Sequence, residues 1–98
     1  MAGFVQIIEY KTSRFDEVQA LGEERVRTDP GSLARRVTVT EDRDRPGTFL
    51  TIVEFDSYDD AMENSKRAET QQFAEQMQKL SDGPPRFYNL DVRHQPVT

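Results

Sequence analysis

Histidine and cysteine, two residue types common in catalytic sites, are scarce in this chain. His94 is the single histidine among 98 residues, and histidine is the side chain that titrates near neutrality when unperturbed. It follows the last predicted strand, where an exposed tail residue is the simpler interpretation. There is no cysteine, which excludes disulfides, thiolate catalysis and cysteine-ligated metal centres. No metal-ligand spacing, phosphate-binding glycine loop or nucleophile–base motif is present.

Amide and phenol side chains are the next candidates. Gln6 lies within an apolar segment, and a buried amide needs partners, either in a cavity or at a subunit interface. Tyr10 and Tyr88 could orient an aromatic substrate by stacking and through their hydroxyls; core or dimer contacts are the alternative. Asn64 could hydrogen-bond a phenolate or peroxide oxygen, or be solvated at a helix end. If these side chains bind a ligand, a small aromatic molecule is one that they could orient.

Aromatic and methionine side chains at helical spacing could line a pocket for a flat ligand. Phe73 and Met77, with Met62 earlier in the chain, show this pattern, and core packing is its commoner explanation. The predicted ligand-binding set is therefore Gln6, Tyr10, Asn64, Phe73, Met77 and Tyr88. No catalytic residue and no metal ligand is assigned.

The charge balance argues against a polyanionic partner. The chain has 18 acidic and 13 basic residues, a net charge of −5, and its arginines do not form an extended basic patch. Arg36 and Arg86 could meet an anionic ligand at the sheet edges, or form ion pairs with Glu54 and Glu9. We expect no nucleic-acid binding.

Two segments have the pattern of strands buried on both faces. In residues 48–55 (TFLTIVEF) and 4–10 (FVQIIEY), both alternating sets are largely apolar, as in strands at the centre of a sheet. Residues 33–42 and 86–93 are apolar on one face only, which is typical of edge strands. Residues 44–47 should contain a type II turn that connects the second strand to the third, with Pro46 at the second turn position and Gly47 at the third.

The first helix is predicted to begin at Ser13, whose hydroxyl could cap it with Asp16 at the capping-box position. Its inner stripe should comprise Phe15, Val18, Leu21 or Gly22, and Val26. The helix should end within residues 28–32, where proline and glycine follow each other.

A second helical region should begin after Ser57, with Asp60 at the capping-box position. The polar stretch from Lys66 to Gln72 separates two apolar stripes. This pattern predicts either one bent helix or two short helices with a break near residues 66–70. The glycine and prolines of residues 82–85 should end the region.

The resulting order is βαββαβ, an α+β ferredoxin-like arrangement with a four-stranded antiparallel sheet. We expect a single domain over residues 1–98. In this fold the first and third strands are central, as their two-faced patterns independently indicate. Both helical regions pack on one face, so the other face would be an apolar patch too large to leave in water. We therefore expect a homodimer whose sheets pack face to face.

The expected location is the cytoplasm. The first residues lack the basic region and cleavage site of a signal peptide, and no apolar run approaches transmembrane length. We expect no membrane interaction.

Three segments together resemble the antibiotic biosynthesis monooxygenase (ABM) family of dimeric α+β barrels. They are PGTFLTIVEFDSYDDAMENS (residues 46–65), ETQQFAEQM (69–77) and DGPPRFYNLDV (82–92). The resemblance implies a homodimer with one cavity per subunit between sheet and helices. It also implies cofactor-independent oxygenation of an aromatic phenol or quinol, since family members include such monooxygenases as well as haem-degrading enzymes.

Departures from the family pattern limit what the resemblance carries over. Members often have a histidine on the helix after the third strand, where this chain has Asn64 and Ser65. The haem-degrading branch relies on a tryptophan and a helical histidine, and this chain has no tryptophan. We therefore expect no haem and no other cofactor. The expected function is a cofactor-independent monooxygenase-type homodimer that acts on or binds a small aromatic or quinonoid molecule. The alternatives are a non-catalytic ligand-binding or stress-related dimer, and an interaction module whose sheet binds another protein.

Overall fold

The computed structural model describes residues 3–96, which form four strands and three helices. In chain order these are β1 (Phe4–Lys11), α1 (Phe15–Thr28), β2 (Arg36–Glu41), β3 (Thr48–Phe55), α2 (Tyr58–Ser65), α3 (Ala68–Leu80) and β4 (Arg86–Asp91). The predicted βαββαβ order is confirmed, with the second helical region divided in two. Both edge strands are shorter than predicted.

The sheet is antiparallel with the order β2-β3-β1-β4. β1 and β3 lie at the centre, as their two-faced patterns predicted, and β2 and β4 are the edges. Along the central pair, Phe4 lies opposite Phe55 and Tyr10 lies opposite Phe49. This register places an aromatic pair at each end of one sheet face.

That face carries the helices and is called the helix face. The two aromatic pairs anchor separate cores. In the first, Phe4, Phe55 and Ala61 are buried against Leu33, Ala34, Val53 and Met62. In the second, Tyr10, Val18 and Phe49 are buried against Ile8, Phe15, Met77 and Leu80. The Phe15 and Phe49 rings stack with centroids 4.4 Å apart. The two cores hold opposite ends of the sheet to the helix layer.

The opposite side of the sheet, called the open face, carries no helix among the described residues. The alternating strand geometry places on it the side chains of Val5, Ile7, Leu50, Ile52, Tyr88 and Leu90. This apolar set is the uncovered patch expected on the face without helices.

The start of α1 differs from the prediction. The helix begins at Phe15 without a side-chain cap, and Ser13 is exposed rather than capping. Instead the buried Thr12 hydroxyl accepts from the Arg14 N–H at 2.9 Å and donates to the Leu80 carbonyl at 2.6 Å. The hydroxyl one residue earlier therefore ties the start of α1 to the end of α3.

The inner stripe of α1 also differs at its last position. Val26 is 81 % exposed, and Arg25 is partly buried in its place. Seven residues complete nearly two turns, so Arg25 lies almost in line with Val18, whereas Val26 is rotated by about 80° from it. The prediction that Val26 faces the core was wrong.

The second helical region is two helices separated at Lys66 and Arg67. Ser57 caps α2 as predicted, accepting from the Asp60 N–H at 3.1 Å. The predicted tight turn is also present, because Thr48 N–H donates to the Arg45 carbonyl at 3.0 Å and Gly47 has φ +86°. Within residues 3–96, no helix has the length and apolar character needed to cross a membrane.

Candidate functional site

Two rows of cross-strand neighbours occupy the middle of the helix face, between the two cores. The register gives one row as Val39, Thr51, Ile8 and Phe87, and the other as Val37, Val53, Gln6 and Asn89. We call these eight residues the central trough. The outer apolar members stay accessible: Val37 is 56 %, Val39 49 % and Phe87 52 % exposed. A half-open apolar strip in the middle of a sheet face is suited to a small ligand.

Side chains from the helix layer contact the sheet at the two cores that flank the trough. α1 and α3 pack on each other, and α2 is the helix whose backbone comes close to β3. Side chains such as Phe15, Met77 and Leu80 connect the helix layer to the sheet at the second core. The eight trough residues are partly buried or exposed.

An amide pair supplies the polar groups at the β4 side of the trough. Gln6 Nε2 donates to Asn89 Oδ1 at 3.1 Å. A side-chain amide has two N–H donors and a carbonyl acceptor. The single bond between the two amides therefore leaves the Gln6 carbonyl and the Asn89 N–H groups for another partner.

A hydroxyl pair marks the end of the trough at the second core. Thr51 Oγ1 donates to Tyr10 Oη at 3.4 Å, and the Tyr10 ring stacks against Phe49 with centroids 5.8 Å apart. Burial raises the pKa of the Tyr10 hydroxyl above its ordinary value, against a smaller opposing effect of the Thr51 hydrogen bond. Tyr10 is therefore a neutral hydrogen-bonding group at physiological pH and not a base.

Charged side chains gather elsewhere, where the end of α1 meets the start of α3. Arg67 makes two hydrogen bonds to the buried Asp29 carboxylate, at 2.6 and 2.9 Å, and Arg25 lies 3.6 Å from it. Arg25 also donates to Thr70 at 3.0 Å and lies 4.7 Å above the Phe73 ring centroid. The Arg67 hydrogen bonds hold the pKa of Asp29 below its ordinary value. This ion-pair cluster joins the end of α1 to the start of α3.

Three of the six predicted ligand-binding residues lie in or beside the trough. Gln6 is in its second row, Tyr10 lies at its end and Met77 packs against the same core as Tyr10. Phe73 is on α3 beneath the Arg25 guanidinium. Ligand contacts by Gln6, Tyr10, Met77 and Phe73 stay predictions.

Asn64 is anchored to the backbone. It is 6 % exposed, and its Oδ1 accepts from the Leu33 N–H at 3.0 Å. This hydrogen bond fixes the segment before β2, whose Leu33 and Ala34 pack on the first core. Asn64 is therefore not solvated at the helix end, and its oxygen has a structural partner.

Tyr88 lies on the other side of the sheet. It is opposite Ile7, an open-face residue, and its hydroxyl donates to Glu9 Oε1 at 3.0 Å. The structure therefore does not bring Tyr88 together with Tyr10, because consecutive strand residues point to opposite faces.

The edge arginines form contacts on this open face. Arg36 Nε lies 3.6 Å from Glu54 Oε2, the pairing considered from the sequence. Glu9 instead pairs with Arg45 at 3.6 Å, and Arg86 lies 5.1 Å above the Tyr88 ring. His94 is exposed beyond β4. Within residues 3–96, no three acidic, histidine or cysteine side chains form a potential metal site.

Sequence reasoning missed Thr51, Phe87 and Asn89 as members of the site. Whether these side chains lie on the helix face depends on which side of the sheet the helices cover. Their neighbours in the trough come from strands that are distant in sequence. The alternation of Phe87 and Asn89 with Tyr88 was visible in the sequence, but it did not reveal which set faces the helices.

Comparison with solved structures places this architecture in a known group. A cofactor-independent oxygenase from Streptomyces nogalater, SnoaB (solved as a variant), superposes with a TM-score of 0.76 at 13 % identity, covering 96 % of this chain and 97 % of that one. A protein described as an antibiotic biosynthesis monooxygenase gives 0.71 at 15 % identity, over 91 % and 97 %. A conserved protein from Methanosarcina mazei Go1 gives 0.80 at 8 % identity, over 95 % of both chains.

No protein-family model matches the sequence, and no curated protein matches it. The likeness is therefore one of fold: the chain has a ferredoxin-like α+β fold with a four-stranded antiparallel sheet. More narrowly, it has the fold of structures named antibiotic biosynthesis monooxygenases, which confirms at the level of the fold the resemblance seen in the sequence.

Proposed function

We propose that this protein is a homodimeric, cofactor-independent monooxygenase-type protein that binds a small aromatic or quinonoid molecule in the central trough. The observation that carries the proposal is the trough itself, an apolar strip between two aromatic cores with one neutral amide pair on its wall. Its apolar lining suits an uncharged ring system. The similar fold of SnoaB, a cofactor-independent oxygenase, supports the assignment of reaction type.

The chemistry proposed for this site asks little of the protein. An electron-rich phenolate or quinol anion reduces dioxygen; one oxygen atom becomes bonded to substrate carbon and the other leaves as water with the two hydrogens that the substrate loses. The protein contributes an apolar surface that orients the substrate. The eight trough residues include no ionisable side chain, so the acidity of the substrate itself must supply the anion.

The neutrality of the trough also favours a second candidate, a dimer that binds such a molecule without transforming it. Burial raises the pKa of Tyr10, so the phenol nearest to the trough is a poor general base. Oxygen uptake separates the candidates: a bound quinol consumed with oxygen at a rate above its rate in buffer supports the enzyme, and binding without uptake supports the carrier.

The homodimer is part of the proposal. Val5, Ile7, Leu50 and Ile52 form the centre of the open face, while Glu54 pairs with Arg36 at its margin. An apolar centre with a charged rim is the usual anatomy of a protein interface, and a face that packs on its own copy generates a closed two-fold dimer.

Sedimentation at micromolar concentration tests the assembly. The wild type should be a dimer. Ile52→Asp should give monomer because it places an unpaired carboxylate in the interface between the two open faces. Val26→Asp, at a position 81 % exposed on α1, is the matched control and should remain dimeric. A monomeric wild type, or a dimeric Ile52→Asp protein, would contradict the proposed dimer interface on the open face.

Ligand binding is tested by thermal shift and calorimetry with uncharged quinones and phenols. A ligand at one hundred times its Kd adds about 2.7 kcal/mol to the free energy of unfolding. Val39→Asp puts a charge at the accessible edge of the trough, where Val39 is 49 % exposed, and should weaken binding. Val26→Asp again serves as control. If Val39→Asp binds as tightly as wild type, the ligand lies elsewhere.

A further inference from the structure

We infer that residues 29–35, which connect α1 to β2, form a strap that closes the first-core end of the trough and opens as a unit to admit and release a ligand. The gating role rests on the proposed function, whereas the opening itself can be measured without any ligand. The strap contains no helix or strand, and segments of this kind are the ones that open locally in folded proteins.

The strap covers the first core, which borders the trough. Leu33 and Ala34 pack against the buried cluster that includes Phe55 and Ala61. Val53, a member of the trough, packs against the same cluster. Lifting the strap therefore uncovers apolar surface next to Val53 and extends the trough at this end.

Two side chains near the junction of α2 and α3 latch the strap. Arg67, directly before α3, makes two hydrogen bonds to the buried Asp29 carboxylate, at 2.6 and 2.9 Å. Asn64, in the last turn of α2, accepts from the Leu33 N–H at 3.0 Å. Because both latches come from one helix junction, a displacement of that junction releases them together, and a single opening step is expected.

Gly31 lies where the strap passes the Arg67 guanidinium. A Cβ atom at this position would be 2.8 Å from Arg67 Nη2 and 3.8 Å from Asp29 Oδ1. Glycine therefore leaves the space that the Arg67–Asp29 latch occupies. Gly31→Ala should disturb this latch without removing either charge, since the guanidinium must move to make room for the methyl group.

Amide hydrogen exchange tests whether the strap opens as a unit. The Leu33 N–H donates to Asn64 and the Arg35 N–H donates to the Glu54 carbonyl. After correction for intrinsic rates, both amides should exchange equally, and at least about tenfold faster than the amide of Ile52 in the middle of β3. Equal exchange at two amides with different acceptors identifies one opening.

Arg67→Met tests the coupling between the two latches. Although the acceptor of the Leu33 N–H is Asn64, exchange at Leu33 should accelerate by about tenfold or more, which is the strength of a hydrogen bond to a charged group. Gly31→Ala should produce a smaller acceleration. Lys66→Met, the matched control, removes the same charge at the neighbouring exposed position and should leave exchange at Leu33 unchanged.

Thiol labelling measures whether the opening uncovers the first core. The chain has no cysteine, so Ala61→Cys and Val18→Cys each carry a single thiol. Ala61 is 4 % exposed in the first core and Val18 is 6 % exposed in the second. Relative to its rate in urea, Ala61→Cys should react with 5,5′-dithiobis(2-nitrobenzoate) at least about tenfold faster than Val18→Cys, because the strap covers the first core.

Stopped-flow binding of 1,4-naphthoquinone to the cysteine-free proteins tests the gating role. Quenching of tyrosine fluorescence gives the rates. Arg67→Met should raise the association and dissociation rates together, by about tenfold, with a much smaller change in Kd, since the strap sets access and not the contacts of the closed state. Lys66→Met should keep the wild-type rates.

The outcomes separate the strap from the proposed function. If the Leu33 amide exchanges as slowly as that of Ile52, or the Ala61→Cys and Val18→Cys thiols react equally slowly, the strap does not open as inferred, while the trough remains a candidate ligand site. Unchanged exchange at Leu33 in folded Arg67→Met would refute the coupling of the latches. Unchanged quinone rates in Arg67→Met would refute the gating role. If no quinone or phenol binds wild type, the proposed function falls with the gating role, and the exchange data still decide the opening.

Discussion

Replacing Asn64 with alanine tests whether this residue acts in the fold rather than on a ligand. Asn64 is 6 % exposed and accepts from the Leu33 N–H at 3.0 Å. Truncation leaves that N–H without its acceptor, in a segment whose Leu33 and Ala34 side chains pack on the first core. An unsatisfied buried donor costs about 1–3 kcal/mol, and the vacated volume adds a smaller loss of contacts.

We therefore expect Asn64→Ala to reduce the free energy of unfolding by about 2 kcal/mol. For a domain of this size each kcal/mol shifts Tm by about 4–8 °C, so Tm should fall by about 10 °C. Urea unfolding followed by circular dichroism gives the free energy, and hydrogen exchange at the Leu33 amide should accelerate selectively.

The chain offers a matched control, because its other asparagine, Asn89, is exposed on an edge strand. Asn89→Ala should change the free energy of unfolding by about 0.5 kcal/mol or less, as surface substitutions usually do. Equal losses in Asn64→Ala and Asn89→Ala, or unchanged exchange at Leu33, would refute the structural role assigned to Asn64. Loss of ligand binding in Asn64→Ala would then point to direct contact.

Three further predictions concern the ion pairs, the pH dependence and the sheet faces. Arg67→Met should lower Tm more than Arg35→Met: both arginines contact an aspartate at 2.6 Å, but Arg67 is 20 % exposed and Arg35 69 % exposed; equal shifts in thermal melts would contradict this. Burial raises the pKa of Tyr10. The neutral phenol therefore contributes fully to the stability of the folded state below the ordinary tyrosine pKa, and this contribution is lost as pH rises through the folded-state pKa of Tyr10. Absorbance titration should therefore show one late-ionising phenol, and its persistence in Tyr10→Phe would reject the assignment. Val53→Asp should unfold the protein, since Val53 packs on the first core; a folded variant in circular dichroism would show that this packing is dispensable.

The hydrophobic pattern was sufficient to predict the strand order, because the alternation within a single strand shows whether both of its faces are apolar. Residues 4–10 and 48–55 are apolar at both alternating positions, and only a central strand between two layers requires this. Turn and cap chemistry at Gly47 and Ser57 was equally local. Each of these features depends on residues within a few positions of one another.

The side of α1 that faces the core was harder to predict. The sequence favoured Val26 as a core residue by hydrophobicity, but the orientation of α1 buries part of Arg25 instead. Arg25 is tolerated there because Asp29 and Phe73 receive its guanidinium. Such a position cannot be recognised from hydrophobicity, since its partner on α3 is far away in the sequence.

The sequence by itself determined the order of the elements, which strands are central and the existence of two apolar sheet faces. The tertiary structure alone decided which face carries the helices, and with it the separation of Tyr88 from Tyr10. It also brought Gln6 to Asn89, 83 residues away, and tied Asn64 to Leu33. The physical reason is that strand alternation fixes which side chains share a face, whereas the packing of the helices selects the face that is covered.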